Sequence, residues 1–177
     1  VQGGPGQESA GYHGYWITDF LNVDPHLGTR EDFRALVDAA HARGMKVYMD
    51  IITNHTADVI AYRECHDPAS PAYIAPEGDC PYRSIGDYPW TTRGGLDGPA
   101  INAGFLGDDP ENQTAGNFAR LTDPAWAYTP FIPGGEENRR NPAWLNDMTL
   151  YHNRGDSHWY GENALYGDFS GLDDLMT

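Results

Sequence analysis

The stretch MKVYMDIITNHT carries one polar side chain within an apolar segment and two just after it: Asp50, Asn54 and His55. The segment Met45–Ile52 is mostly β-branched, aromatic or methionine, which is typical of a parallel strand covered on both faces. A carboxylate in such a strand is costly unless it is paired. Asp50 therefore either meets a partner, opens onto a polar cavity or caps the loop after the strand. For His55 the residues alone favour a core histidine with satisfied nitrogens.

The preceding segment predicts the helix that would position this strand. Thr29 and Asp32 have the spacing of a capping box, and Gly44 is a C-cap, so the helix is expected over Thr29–Arg43. Its apolar residues recur at helical spacing and form one face: Phe33, Leu36, Val37 and Ala40. A helix, a glycine and a buried strand make half of a β/α repeat, which favours a parallel sheet or a β/α barrel over a sandwich.

The composition limits the class of partner. The 177 residues carry 26 acidic and 11 basic side chains, a formal net charge of −15. A field of that sign repels phosphate, so nucleic acid is not expected, whereas a neutral or cationic ligand is favoured. No run of 18 apolar residues is present, so no membrane-spanning segment is expected. The 5 Trp, 11 Tyr and 6 Phe supply the apolar surface that a disordered acidic chain lacks.

The regular pattern ends after Thr56. Proline and glycine recur through the remaining residues, and no segment repeats another at a fixed period, so neither a solenoid nor a second regular domain is indicated. A long irregular excursion at the carboxyl end of a strand is where β/α barrels build their sites. The tryptophans of this excursion are expected to pack or to stack on a ligand: Trp90, Trp126, Trp144 and Trp159.

The two cysteines, Cys65 and Cys80, lie in a segment rich in proline and glycine. A short loop closed by a disulfide suits a secreted or extracytoplasmic protein. Two reduced buried thiols in a cytosolic protein are the alternative, and a zinc site is disfavoured because no C-x-x-C motif is present. We predict the disulfide.

Three ordered segments resemble signatures of the α-amylase family of glycoside hydrolases: GYHGYW at 11–16, DIITNH at 50–55 and GLDDL at 171–175. The resemblance implies an α/β fold that is part of a (β/α)8 TIM barrel, with a long irregular inserted domain B after strand 3. Residues 1–55 would be a partial catalytic barrel comprising a loop, helix 2 and strand 3. Residues 56–177 would be domain B, ending where the chain returns to the barrel. Both ends are expected to be cuts, which makes the remainder of the parent barrel an implied partner.

The resemblance also implies roles for individual residues. Tyr15 resembles the aromatic residue that stacks on the sugar at the cleavage subsite, with Trp16 beside it. His55 resembles the histidine that donates to a hydroxyl of that sugar, and Asp50 an aspartate that supports the site without cleaving. An aromatic surface with a few hydrogen-bonding groups suits a pyranose, which has an apolar face and a rim of hydroxyls.

A structural calcium is the implied cofactor. Asn54 resembles its amide-oxygen ligand and Asp174 a carboxylate ligand from the far end of domain B, and calcium prefers such hard oxygen donors. Asn54 also lies in a glycosylation sequon, and its use as an acceptor would conflict with the ligand role. A transition-metal cluster is a disfavoured alternative that would use Asp147, His152, Asp156 and His158.

The function implied by the resemblance is retaining hydrolysis of α-1,4-glucosidic bonds in starch or maltooligosaccharides. A glucanotransferase or isomerase of the same family uses the same signatures, and so does a non-catalytic α-glucan-binding relative. The catalytic carboxylates of the family lie downstream of the third signature. The chain by itself is therefore expected to be an inactive fragment of the enzyme.

Overall fold

A computed structural model describes residues 11–84, 86–88, 114, 127–169 and 172–175 of the chain. Trp90 and Trp126, for which packing or stacking was expected, lie outside these residues. Within the described ranges, no helix is both long enough and apolar enough to span a bilayer.

Helix α1, Arg30–His41, confirms the predicted helix and its N-terminal capping box. The helix ends earlier than predicted, because its C-cap is Ala42 and Gly44 lies two residues beyond it. The Thr29 hydroxyl accepts a hydrogen bond from the Asp32 N–H at 3.1 Å, and the Asp32 carboxylate accepts one from the Thr29 N–H at 2.8 Å. Gly44 adopts a φ of +72°, and its N–H donates to the His41 carbonyl at 2.9 Å. This left-handed conformation, in the turn that follows the helix, is one that glycine adopts without strain.

The prediction of a buried strand over Met45–Ile52 is wrong for the described chain. These residues have no strand structure, and the side chains of Tyr48 and Met49 are 85% and 68% exposed. Asp50 is exposed as well. A strand is held by hydrogen bonds to a neighbouring strand, and no described strand pairs with this segment.

Beyond residue 54 the described chain forms short elements joined by turns. Strand β1, His55–Ala57, pairs with β4, Leu172–Asp174, in antiparallel register, with His55 opposite Asp174. Strand β2, Ala61–Tyr62, pairs with β3, Pro130–Phe131. The helical elements are single turns: α2 at Arg63–His66, 3₁₀ turns at Ala143–Asn146 and Met148–Leu150, and α3 at Asn163–Tyr166.

A disulfide and stacked aromatic rings form the core of this irregular part. Cys65 and Cys80 are bonded, with their Cα atoms 5.7 Å apart, which confirms the predicted pairing. The rings of Tyr62 and Tyr128 stack with centroids 5.1 Å apart. Gly155 crosses this core at a φ of +86°, and a Cβ atom there would lie 2.5 Å from the Pro81 carbonyl oxygen. Only glycine allows the two backbone segments to approach so closely.

Candidate sugar-binding and calcium site

The β1–β4 junction, defined as residues 54–57 and 172–175, brings together two predicted calcium ligands that lie 120 positions apart in the sequence. The Asn54 side-chain amide donates to an Asp174 carboxylate oxygen at 2.8 Å. The Leu175 N–H donates to the Asn54 carbonyl at 2.9 Å and continues the pairing beyond β4. The junction therefore fixes both the backbone and the side chains of the pair.

Asp174 is a buried carboxyl whose ionisation is disfavoured by its surroundings. Burial raises its pKa to about 7, although the hydrogen bond from Asn54 acts in the opposite direction. The Nε2 atom of His152 lies 3.9 Å from the second carboxylate oxygen. A cation at this position would favour the ionised form of Asp174.

The aromatic loop that precedes α1 is tied to the junction by its backbone. The Ala57 N–H donates to the Ile17 carbonyl at 2.9 Å, so the loop lies against β1. Within the loop, the Tyr15 hydroxyl donates to the Asp50 carboxylate at 3.3 Å, and the ring of His13 stacks on Tyr15 with centroids 5.6 Å apart. Trp16 is half-buried and packs edge-on against the same histidine, at 4.6 Å. Tyr15 is 45% exposed, so one aromatic surface remains accessible to a ligand.

His55 is half-buried, and its two ring nitrogen atoms are buried and make no hydrogen bond. Burial lowers the pKa of His55, and the nearby backbone of Tyr15 partly opposes this shift. The contact with Tyr15 does not meet the geometry of a hydrogen bond. The ring of Phe169 meets it edge-on, with centroids 6.1 Å apart. The interpretation of His55 as a satisfied core histidine does not fit this environment. A neutral imidazole can donate one hydrogen bond and accept another, and neither is made among the described residues.

Comparisons with known proteins agree with these signatures. The family described as "Alpha amylase, catalytic domain" matches residues 5–92. Over the whole chain, 48% of residues are identical to the "Alpha-amylase" of Streptomyces lividans. The chain belongs to the α-amylase family. It spans 17% of the length of that Streptomyces relative.

Other relatives of this α-amylase-family chain match over shorter stretches. A "Cyclomaltodextrin glucanotransferase" of Geobacillus stearothermophilus is 57% identical over 49 residues, which are 28% of this chain and 7% of the relative. "Alpha-amylase SusG" of Bacteroides thetaiotaomicron is 56% identical over 45 residues, 25% of this chain and 6% of the relative. No solved structure matches the chain.

Beside the predicted ligands, a buried ion pair that sequence reasoning missed anchors the junction. Asp173 accepts hydrogen bonds from the Val59 and Ile60 N–H groups at 2.9 and 3.0 Å, and it forms a close ion pair with Arg140. The Arg140 guanidinium also donates to the Ala57 carbonyl at 3.2 Å. Burial lowers the pKa of Arg140. The only sequence signal was the acidic doublet in GLDDL, whose first member is this structural aspartate.

A second missed carboxyl supports Asp174 from the other side. Asp168 is buried, accepts the Asp174 N–H at 2.9 Å and forms a short hydrogen bond with the Tyr62 hydroxyl. Burial raises the pKa of Asp168 well above its usual range, against the effect of both hydrogen bonds. The backbone of Asp174, the predicted carboxylate ligand, is thus held by a hydrogen bond to a buried side chain. Nothing in the local sequence pattern marks Asp168 for this role.

The donor set at the junction fits calcium better than a transition metal. It offers an amide group and one carboxylate, and calcium completes such sets with backbone carbonyls and water. Among the described residues, no three or more His, Cys, Asp or Glu side chains gather as a metal site. The alternative cluster is therefore not assembled as a metal site: Asp147, His152, Asp156 and His158.

The structure brings the predicted site residues together in two pairs, Asn54 with Asp174 and Tyr15 with Asp50. His55 begins β1 directly after Asn54, and its ring lies close to the backbone of Tyr15. Both pairs therefore lie next to strand β1.

Proposed function

We propose that this chain is part of a retaining glycoside hydrolase that cleaves α-1,4-glucosidic bonds in starch or maltooligosaccharides. The observation that carries the proposal is the β1–β4 junction, which positions His55, with uncommitted ring nitrogens, beside the paired Asn54 and Asp174. The whole-chain identity of 48% with a Streptomyces α-amylase favours hydrolysis among the reactions that use these signatures.

In this proposal the residues of the chain bind and orient the sugar. The exposed ring of Tyr15 stacks on the apolar face of a glucose unit, and Asp50 holds the Tyr15 hydroxyl. His55 donates a hydrogen bond to a hydroxyl of the same unit. The nucleophile and the acid/base that a retaining mechanism requires are expected from the remainder of the parent barrel.

We further infer a structural calcium ion held by Asn54 and Asp174. The ion would supply positive charge beside a buried carboxyl and link β1 to β4. We expect chelation to lower the melting temperature of the full-length protein that carries this chain. Asn54→Ala and Asp174→Ala should melt lower than wild type and lose the response to chelator. A wild-type melting temperature that does not change on chelation would contradict the site.

The activity is tested in the same full-length protein by comparing His55→Ala with His41→Ala. His41 lies in the last turn of α1 and is exposed, so it is a matched control. We expect His55→Ala to lower kcat/KM for maltoheptaose at least ~10-fold, which corresponds to about 1.4 kcal/mol of binding in the transition state, and the control to stay near wild type. Release of no new reducing ends by wild type would overturn the proposal.

A glucanotransferase is the second candidate, because the matches with cyclomaltodextrin glucanotransferases reach 57% identity over 49 residues. Chromatography of the products separates the two reactions. Linear maltooligosaccharides as the main products support the hydrolase, and cyclic dextrins the transferase. Binding of maltoheptaose without any product would instead identify a non-catalytic relative.

We also propose that the parent protein is secreted or extracytoplasmic. The support is the Cys65–Cys80 disulfide, since such bonds persist in oxidising compartments. Fractionation of the source cells, with detection of the protein outside the cytoplasm, tests this location.

A further inference from the structure

An exposed tryptophan lies on the irregular part of the chain and points away from the core. The side chain of Trp159 is 66% exposed, yet one face of its ring stacks on Phe169 at 4.5 Å with an interplanar angle of 13°. The opposite face of the indole is therefore presented to solvent. A large apolar ring held flat in this way is a surface on which another flat apolar face can stack.

The turn that carries Trp159 is fixed by hydrogen bonds. Trp159 has a φ of +65°, a left-handed conformation that bulky residues rarely adopt. The Asn163 side-chain oxygen accepts from the His158 and Tyr160 N–H groups at 3.0 and 3.2 Å, and Ser157 Oγ accepts from the Trp159 N–H at 3.1 Å. The backbone thus holds the indole in a set direction, and strain of this kind is characteristic of ligand contacts.

The indole is continuous with the candidate sugar site. Phe169 stacks on Trp159 with one face, and its ring also meets the ring of His55 with centroids 6.1 Å apart. The three rings form a row that begins at the solvent-exposed indole and ends at the half-buried His55, whose ring nitrogens make no hydrogen bond. A ligand that contacted both Trp159 and His55 would have to be long, because the ring of Phe169 lies between their rings.

We propose that Trp159 is a second sugar-stacking surface, which binds a further glucose unit of the same α-glucan chain that Tyr15 and His55 hold. The inference rests on the proposed function. The occupant is a neutral polymer with repeated apolar faces, which suits both an exposed indole and a chain with a formal net charge of −15. The surface acts in binding longer substrates and takes no part in bond cleavage.

The test compares Trp159→Ala, Trp159→Phe and Tyr160→Ala in the full-length protein, with maltoheptaose as substrate. Tyr160 is 81% exposed in the same turn, but among the described residues it makes no ring contact with Phe169, so Tyr160→Ala is the matched control. We expect Trp159→Ala to raise KM about fivefold to tenfold with kcat within about twofold of wild type. Trp159→Phe should recover much of the loss, and Tyr160→Ala should resemble wild type.

A second measurement uses the wild-type protein and does not depend on a variant that folds. N-bromosuccinimide oxidises accessible indoles, and peptide mapping reports each site. We expect maltoheptaose to protect Trp159 and to leave the oxidation of Trp144 unchanged, since Trp144 is 60% exposed and lines an apolar pocket to which none of the three rings contributes.

Four outcomes would overturn the inference. An unchanged KM in Trp159→Ala, or no protection of Trp159, would exclude the indole from binding while the wild-type activity still supports the proposed function. A large fall in melting temperature without a change in KM would show that the indole packs against protein. A wild-type protein that neither cleaves nor binds maltoheptaose would overturn the proposed function together with the inference.

Discussion

Arg140 and Asp173 place opposite charges in the interior, where each depends on the other. The Arg140 side chain is fully buried and that of Asp173 is 3% exposed. Replacement of Arg140 by Met would leave the Asp173 carboxylate buried with two backbone N–H donors but without its cation. We expect Arg140→Met to lower the free energy of unfolding by about 3–5 kcal/mol, measured by urea denaturation.

Asp67→Asn is the control for this substitution, since it removes an ion pair with Arg63 at the surface. Its effect should stay within about 1 kcal/mol. Equal decreases in the free energy of unfolding for Arg140→Met and Asp67→Asn would show that burial of the ion pair does not determine its contribution to stability.

Asp156 should make stability depend on pH. Burial raises its pKa to about 6, helped by the nearby Asp79 and opposed by the N–H of Cys80. Because the pKa is higher in the folded state than the usual 3.8, the folded state binds the proton more tightly, and stability falls as the pH rises from about 4 to above 6. Over this pH range the free energy of unfolding falls by up to ~3 kcal/mol.

Asp156→Asn should flatten this decline and still accept the Cys80 N–H. The decline in stability with pH is measured from the midpoints of urea denaturation at pH 4, 5, 6 and 7. Asp38→Asn, at an exposed position of α1, is the control. Parallel curves for wild type and Asp156→Asn would disprove the assignment.

From the sequence, roles in the candidate site could be predicted only for those residues that match the signatures of the α-amylase family. Asn54 and Asp174 were paired on that basis, since nothing in the spacing of residues 120 apart shows that they meet. The carboxyls of Asp168 and Asp173 were not predicted, because their roles depend on burial and on backbone donors from distant segments. Such contacts are created by tertiary packing and leave no local pattern.

At the scale of elements, α1 was predictable and the strand after it was not. Helix α1 makes its own backbone hydrogen bonds, and its start is encoded by Thr29 and Asp32. The segment Met45–Ile52 has the composition of a strand, but its hydrogen bonds require partners on other strands, and none of the described strands is a neighbour. Propensity alone therefore gave the wrong local structure.

The Cys65–Cys80 disulfide connects α2 to the segment that packs on Asp156, across a separation of 15 residues. Cross-linking a loop of this length stabilises the folded state by ~3 kcal/mol, because it restricts the unfolded chain. We expect the double substitution Cys65→Ala, Cys80→Ala to lose about that amount in urea denaturation. Mass spectrometry of the unreduced wild type should find no alkylatable thiol, and two such thiols would contradict the bond.

The chain as a whole exposes apolar surface that a folded protein normally covers. Leu36 of α1 is 62% exposed, and Ile51 is 69% exposed. An apolar pocket of about 460 Å³ lies nearby and is lined in part by Phe20, Ile52 and Trp144. Surfaces of this kind mark sites of association or aggregation.

We expect the isolated 177-residue chain to bind a hydrophobic dye such as 8-anilinonaphthalene-1-sulfonate several-fold more strongly than the full-length protein does. The double substitution Met49→Ser, Ile51→Ser should lower dye fluorescence in the isolated chain, because both side chains are exposed there. Equal fluorescence of the two proteins would show that the rest of the protein does not cover this surface.

The pairing of β1 with β4 means that the excursion leaves and re-enters at neighbouring points, with Ala57 opposite Leu172. For the paired strands β1 and β4, the segment between those residues takes the place of the turn of a hairpin. Doubling the length of a flexible loop costs only about 0.6 kcal/mol, so the excursion can grow, shrink or be exchanged for another without moving the ends to which it is attached. We therefore expect the segment between Ala57 and Leu172 to tolerate insertion or exchange, because the pairing of β1 with β4 keeps its two ends in place.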